Sequence, residues 1–260
     1  MTHRNLTESE ITILKDQYCT CSDWSKIKVA EGFNPKYVKH VHFSGDILIG
    51  KFERVFELEG GLKQHSGIFH ATLHNCQIGN NVFIANIHRY IANYIIADDC
   101  YIENTQLLVT EQGSTFGNGK DIAVLNEAGG REIRITDQLS SHLAYILTLY
   151  RHRKETIENI TKIIDQYTES VKSDMGYIAP HVKITTCRNI KNVKIGSHAT
   201  IDSASELVNG SINSNASDPV YIANGVIAKN FIISSGAQAT DDPLIENCFI
   251  GQRTLLGKPS

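Results

Sequence analysis

The chain has 260 residues, 41% of them hydrophobic and 20% charged, with a formal net charge of −3. That balance is ordinary for a globular protein, and the slight acid excess argues against nucleic acid as the main partner, since phosphate binding calls for a basic surface. No run approaches the roughly 18 apolar residues of a membrane span, and the polar start from Met1 to Asn5 lacks the apolar core of a secretory signal.

Leu6 to Gln17 reads as a short helix: Thr7 followed three places later by Glu10 is a capping box, and Ile11 and Leu14 supply an apolar stripe. With Trp24 packed alongside, residues 1–40 are expected to form a helical cap over an open end, because terminal repeats leave apolar surface and strand edges exposed. Ligand stacking is the alternative for Trp24. From Val41 the chain turns strand-like, and the runs 41–43, 47–50 and 55–58 read as irregular first coils.

Between Ile78 and Leu108 large apolar residues recur every sixth position: Ile78, Ile84, Tyr90, Ile96, Ile102 and Leu108. Helical faces repeat at about 3.6 residues and strand faces at 2, so neither element explains this period. Compact side chains stand four places after several of these positions, as Cys76 after Thr72, Val82 after Ile78 and Cys100 after Ile96. A repeat of this kind means a solenoid, whose units bury their apolar faces only against stacked neighbours.

Ser114 to Gly119 is a turn-rich loop, and Ile122 to Leu125 a strand leading into Asn126-Glu127-Ala128-Gly129-Gly130-Arg131. Glycine pairs let a ligand approach the backbone, and an arginine offers a planar fork to carboxylate or phosphate. The competing reading is a plain turn out of the solenoid. Asp137 to Ser173 carries helical spacing in Leu139, Leu143, Ile146, Leu147 and Tyr150, then in Ile157, Ile160, Ile164, Tyr167 and Val171; one long helix or two antiparallel ones both fit. The period returns in Ile195, Ile201 and Leu207, with Ala199, Ser205 and Ser211 in the compact slot, and again in Leu244, Ile250 and Leu256. The expected organisation is a cap (1–40), first coils (41–136), a helical insertion (137–175) and second coils (176–260). The last coil stops in mid-repeat, so further chain or a partner is expected to cover it. Six cysteines lack any CxxC pair, and Cys76, Cys100 and Cys248 fall in the compact slot, as reduced packing residues of a cytoplasmic protein would.

These blocks resemble the hexapeptide repeat of left-handed parallel β-helix proteins. The segments Asn5-Leu6-Thr7 with Asp23-Trp24, Tyr90-Ile91-Ala92-Asn93-Tyr94, Thr115 to Gly119, Asn126 to Arg131, Tyr150-Arg151-His152-Arg153 and Ser173-Asp174-Met175-Gly176 are similar to an uncharacterised bacterial family within that superfamily. The resemblance implies an all-β left-handed parallel β-helix, and the wider superfamily implies acyl transfer from acetyl-CoA or another acyl-CoA to a sugar or nucleotide-sugar, in a homotrimer. Such transfer needs a base for the acceptor and a donor for the thioester oxyanion. Histidine is the usual base. His74 is the first candidate, two places after Thr72 on an outward face; His88 is the second, four places after Ile84 in an inward slot. Asn93, Asn126, Glu127 and Arg131 are the candidate substrate-binding residues. His70 and His74 lack an evident third ligand, so no metal site is expected. A non-catalytic scaffold or ligand-binding β-helix is the rival reading.

Overall fold

The structure, a computed structural model, describes residues 2–124 and 129–257. It is mostly β, with three α-helices among the described residues: α1 (Glu8–Asp16), α2 (Ser141–Leu149) and α3 (Lys154–Val171). One large sheet dominates, and its strands pair in parallel apart from His3–Asn5, which runs antiparallel to Ile27–Ala30.

The parallel pairs fall into three ladders that the chain visits in rotation. Ile84 lies beside Ile102, then Ile184, Ile201 and Ile222 follow in the first ladder. Ile91, Leu108, Ile190, Leu207 and Ala228 make the second. Ile78, Ile96, Ile178, Ile195, Ile212 and Ile233 make the third. None of these side chains is more than 3% exposed, so each rung closes the apolar face of the next, which is the solenoid-like arrangement the period implies. Cys76, Cys100 and Cys187 are buried in the same core, and all six cysteines are free thiols.

The six-residue spacing holds on average and slips at the corners. The second-ladder residue after Ile84 is Ile91 rather than Tyr90, and near the end of the chain it is Ile245 rather than Leu244, whose side chain is 68% exposed. Ala204, not Ser205, fills the compact slot before Leu207. The cause of the first slip is visible in the pairing: Ile68 meets Ile84, 16 residues on, whereas Leu73 meets Ile91, 18 on. Two extra residues are therefore housed in that corner. Ile87 turns into the core and His88 is exposed, which corrects the inward placement expected for His88.

Domain limits shift for similar reasons. Thr20–Cys21 and Ile27–Ala30 already pair in parallel with Val38–Ile49, so the cap gives way to coils well before residue 41. Within the cap, Thr7 and Glu10 form the expected box, Leu14 is buried, and Trp24 packs against the core. Val55–Glu57 does not belong to a coil; it pairs antiparallel with Lys63–His65 in a hairpin. Its apolar pattern arises because Phe56 covers Phe83 and Tyr101 on the outside of the first ladder.

The insertion is also longer than 137–175. The chain leaves the second ladder after Leu107–Val109 and regains the third at Gly176–Ile178. Between them lie the Ser114–Gly119 loop, a hairpin of Lys120–Ala123 with Glu132–Ile135, and two helices, α2 and α3, separated at Tyr150–Arg153. Hairpin strands alternate as coil strands do, so their sequence does not set them apart. The insertion has its own core of Ile122, Ile133, Ile135, Leu139, Leu147 and Ile164, closed by Ile232 from the outer side of the coils. Its loop presses onto the coils at Gly117 (φ +80°), where a Cβ would meet the Phe231 carbonyl oxygen at 2.7 Å and that of Asn209 at 2.8 Å. Glycine is required there.

Candidate functional site

Each coil turns between the second and third ladders at a residue in the left-handed region, which asparagine tolerates better than most. Asn75, Asn93, Asn192, Asn209, Asn230 and Asn247 occupy this corner with φ between 48° and 57°. Their amides link coil to coil: Asn75 Nδ2 donates to Asn93 Oδ1 (3.3 Å), Asn192 to Asn209 (3.0 Å), Asn209 to Asn230 (3.3 Å) and Asn230 to Asn247 (3.0 Å). Asn93 completes the first run by donating to the Thr110 carbonyl at 2.8 Å, where the insertion leaves. Both functional atoms of the Asn93 amide are thus engaged within the protein.

His74 stands next to Asn75. Its Nδ1 is 2.9 Å from Ser44 Oγ and its Nε2 is 3.0 Å from Asn75 Nδ2. An amide nitrogen only donates, so Nε2 accepts and the ring proton sits on Nδ1, donating to Ser44. The lone pair that a general base needs is therefore occupied in this arrangement. His74 and Asn93 share the corner through Asn75, which opens with Asn93 onto a groove of about 650 Å³ beside Lys26, Lys28, Asp46 and Gln77. The other candidates lie elsewhere. Arg131 is exposed immediately before the Glu132–Ile135 strand of the insertion, His88 is exposed at a different corner, and Asn126 and Glu127 lie outside the described residues.

A larger concavity, about 1210 Å³, lies between the insertion and the outer side of the third ladder. Ile133, Leu139 and Phe249 form its apolar wall, and Asp137, Tyr167, Lys194 and Asn213 its polar one. Asp137 is fixed from three sides. Its N–H donates to Asn118 Oδ1 (2.8 Å), its carbonyl accepts from Asn213 Nδ2 (3.3 Å), and its carboxylate accepts from the Tyr167 hydroxyl. Burial, helped by that carboxylate, pushes the Tyr167 phenol up to about 12, so it stays a donor at neutral pH. The side chain of half-buried Lys194 makes no hydrogen bond or ion pair among the described residues. A fixed carboxylate, amides and an unmatched ammonium against an apolar wall suit a ligand that carries hydroxyls, an anionic group and a flat or apolar part.

Sequence reasoning did not single out Lys194, Asn213, Asp137 or Tyr167 as site residues. Asn213 and Asp137 are 76 residues apart, and no period marks an outward position as the one an insertion will roof.

Residues 3–259 match the family described as "Domain of unknown function (DUF4954)", and the chain belongs to that family. It is also similar to a protein of Treponema pallidum (strain Nichols) described as "Uncharacterized protein", with 28% identity over 246 residues. That match covers 90% of this chain, which spans about a third (34%) of the length of that relative.

Proposed function

We propose that this DUF4954 member is a left-handed parallel β-helix of the hexapeptide-repeat superfamily that binds a sugar or nucleotide-sugar in the groove between its insertion and its coils. The observation that carries the reading is the unpaired Lys194 ammonium facing the same groove as the immobilised Asp137 and the Asn213 amide. A lysine suits a phosphate or carboxylate, while fixed carboxylate and amide groups accept from and donate to sugar hydroxyls. The near-six-residue step between inward positions supports the superfamily and, by likeness, the hand of the coil. Six free cysteines, four of them buried in the core, suit a reducing compartment such as the cytoplasm.

Calorimetric titration with a panel of nucleoside-diphosphate sugars tests the reading. Saturable binding that weakens about tenfold or more in Lys194→Ala supports it. Absence of binding across the panel, or equal affinity in the variant, overturns it.

Acyl transfer from acetyl-CoA or another acyl-CoA is the second reading, supported by the imidazole of His74, held by Ser44 and bonded to Asn75, which lines the smaller groove. For His74 to take a proton, the Asn75 amide must turn away. Saturating acetyl-CoA should then raise the unfolding temperature, because ligand bound to the native state stabilises it, and His74→Ala should abolish turnover. A homotrimer is the assembly this reading brings with it; light scattering that gives the mass of one 28.9 kDa chain counts against it.

A further inference from the structure

A second corner, between the first and second ladders, is built differently at the N-terminal end of the coils. Tyr18, His40 and His70 turn three successive coils, with Asn86 at the next. Their rings stack in file: Tyr18 on His40 at 5.1 Å and 4°, His40 on His70 at 4.5 Å and 8°. Two places further along each coil, Thr20, His42 and Thr72 pair side by side on the ladder, and Thr20 Oγ1 lies 2.8 Å from His42 Nδ1. The two extra residues in the following corner then bring His88 and Arg89 over the same place. The result is a groove of about 280 Å³ lined by four imidazoles, the Arg89 guanidinium and the Tyr18 ring, with no carboxylate among its lining residues. Arg89 lies over the Tyr90 ring and makes no ion pair among the described residues.

We propose that this corner binds a phosphate-bearing anion. A guanidinium presents two parallel N–H groups to a phosphate, and charge-assisted hydrogen bonds of this kind are about twice as strong as neutral ones. Imidazole N–H groups supply further donors around the rim. A net charge of −3 disfavours anions over the surface as a whole, so a groove free of carboxylate is where an anion can settle. A metal ion is a poorer occupant. No set of three or more His, Cys, Asp or Glu side chains among the described residues has the arrangement to hold one.

The test follows histidine ring resonances by NMR at pH 6.5 and constant ionic strength, adding inorganic phosphate in one series and ribose 5-phosphate in another. Saturable shifts confined to His40, His42, His70 and His88, weakened about tenfold in Arg89→Gln, establish the site. His181 and His198, at another corner, serve as internal controls. Tighter binding of ribose 5-phosphate identifies a phosphate monoester as the ligand, and tighter binding of phosphate identifies the free anion. Arg89 and His88 are both exposed, so Arg89→Gln and His88→Gln retain the fold, as circular dichroism will verify. Shifts that fail to saturate, that appear equally at His181 and His198, or that survive Arg89→Gln unchanged overturn the proposal.

Discussion

Replacing Asn209 dissects what the asparagine corner contributes. Asn209 accepts from Asn192 (3.0 Å) and donates to Asn230 (3.3 Å), with its backbone at φ 52°. Alanine removes both amide hydrogen bonds, each contributing roughly 0.5–1.5 kcal/mol, and places a Cβ-bearing residue without a compensating side chain in the left-handed region, at a cost of about 1 kcal/mol. The expected loss for Asn209→Ala is therefore about 2–4 kcal/mol. Glycine loses the same hydrogen bonds but adopts the turn freely, so Asn209→Gly should be more stable than Asn209→Ala by about 1 kcal/mol. Urea unfolding followed by far-ultraviolet circular dichroism measures both. An alanine variant within about 0.5 kcal/mol of the parent, or a glycine variant no better than alanine, would refute the claim that this corner is held by its amides and by its backbone geometry.

Other consequences are equally specific. At Gly210 an added Cβ would lie 2.3 Å from the buried ring of Phe231, so Gly210→Ala should cost about 1–3 kcal/mol by overpacking, and adding Phe231→Leu should recover part of that loss in urea unfolding. The Arg4 guanidinium grips Glu10 at 2.8 and 2.7 Å and holds its carboxyl down to about 2, against roughly 4.3 in an unfolded chain. The resulting stabilisation is fully present above the unfolded value and is lost as pH falls towards 2; Glu10→Gln should flatten that part of the acid limb in thermal unfolding scans. Burial pushes the thiols of Cys76, Cys100 and Cys187 up to about 12, so a disulfide reagent at pH 8 should leave them untouched in the native protein, modify half-buried Cys21 first, and reach all six only in denaturant.

The arrangement of the coils was legible because burial repeats with the chain. Ile78, Ile84, Ile96, Ile102, Leu108, Ile195, Ile201 and Leu207 all face the core at the spacing that announced them. Tyr90 broke step because its corner houses two extra residues, and Leu244 because the second and third ladders lie five residues apart there, at Ile245 and Ile250, and a count of six registers neither. His88 was misplaced by the same slip as Tyr90. The candidate site was legible only in fragments: His74 and Asn93 do share a corner, yet what joins them is Asn75, and the hydrogen bonds there hold coils together.

A periodic sequence determined that these residues stack, since each inward side chain loses water only when its counterpart one coil away lies against it. It also determined the N-terminal cap, whose signals lie within four residues of one another. Where the insertion folds back was decided by tertiary structure alone. Lys194 and Asn213 become groove walls because Asp137 and Tyr167 are brought over them, and Arg89 and His88 join the three histidines of neighbouring coils because a bulge carries them across. Outward positions carry no burial period, so their partners are chosen by shape and distance in the folded molecule.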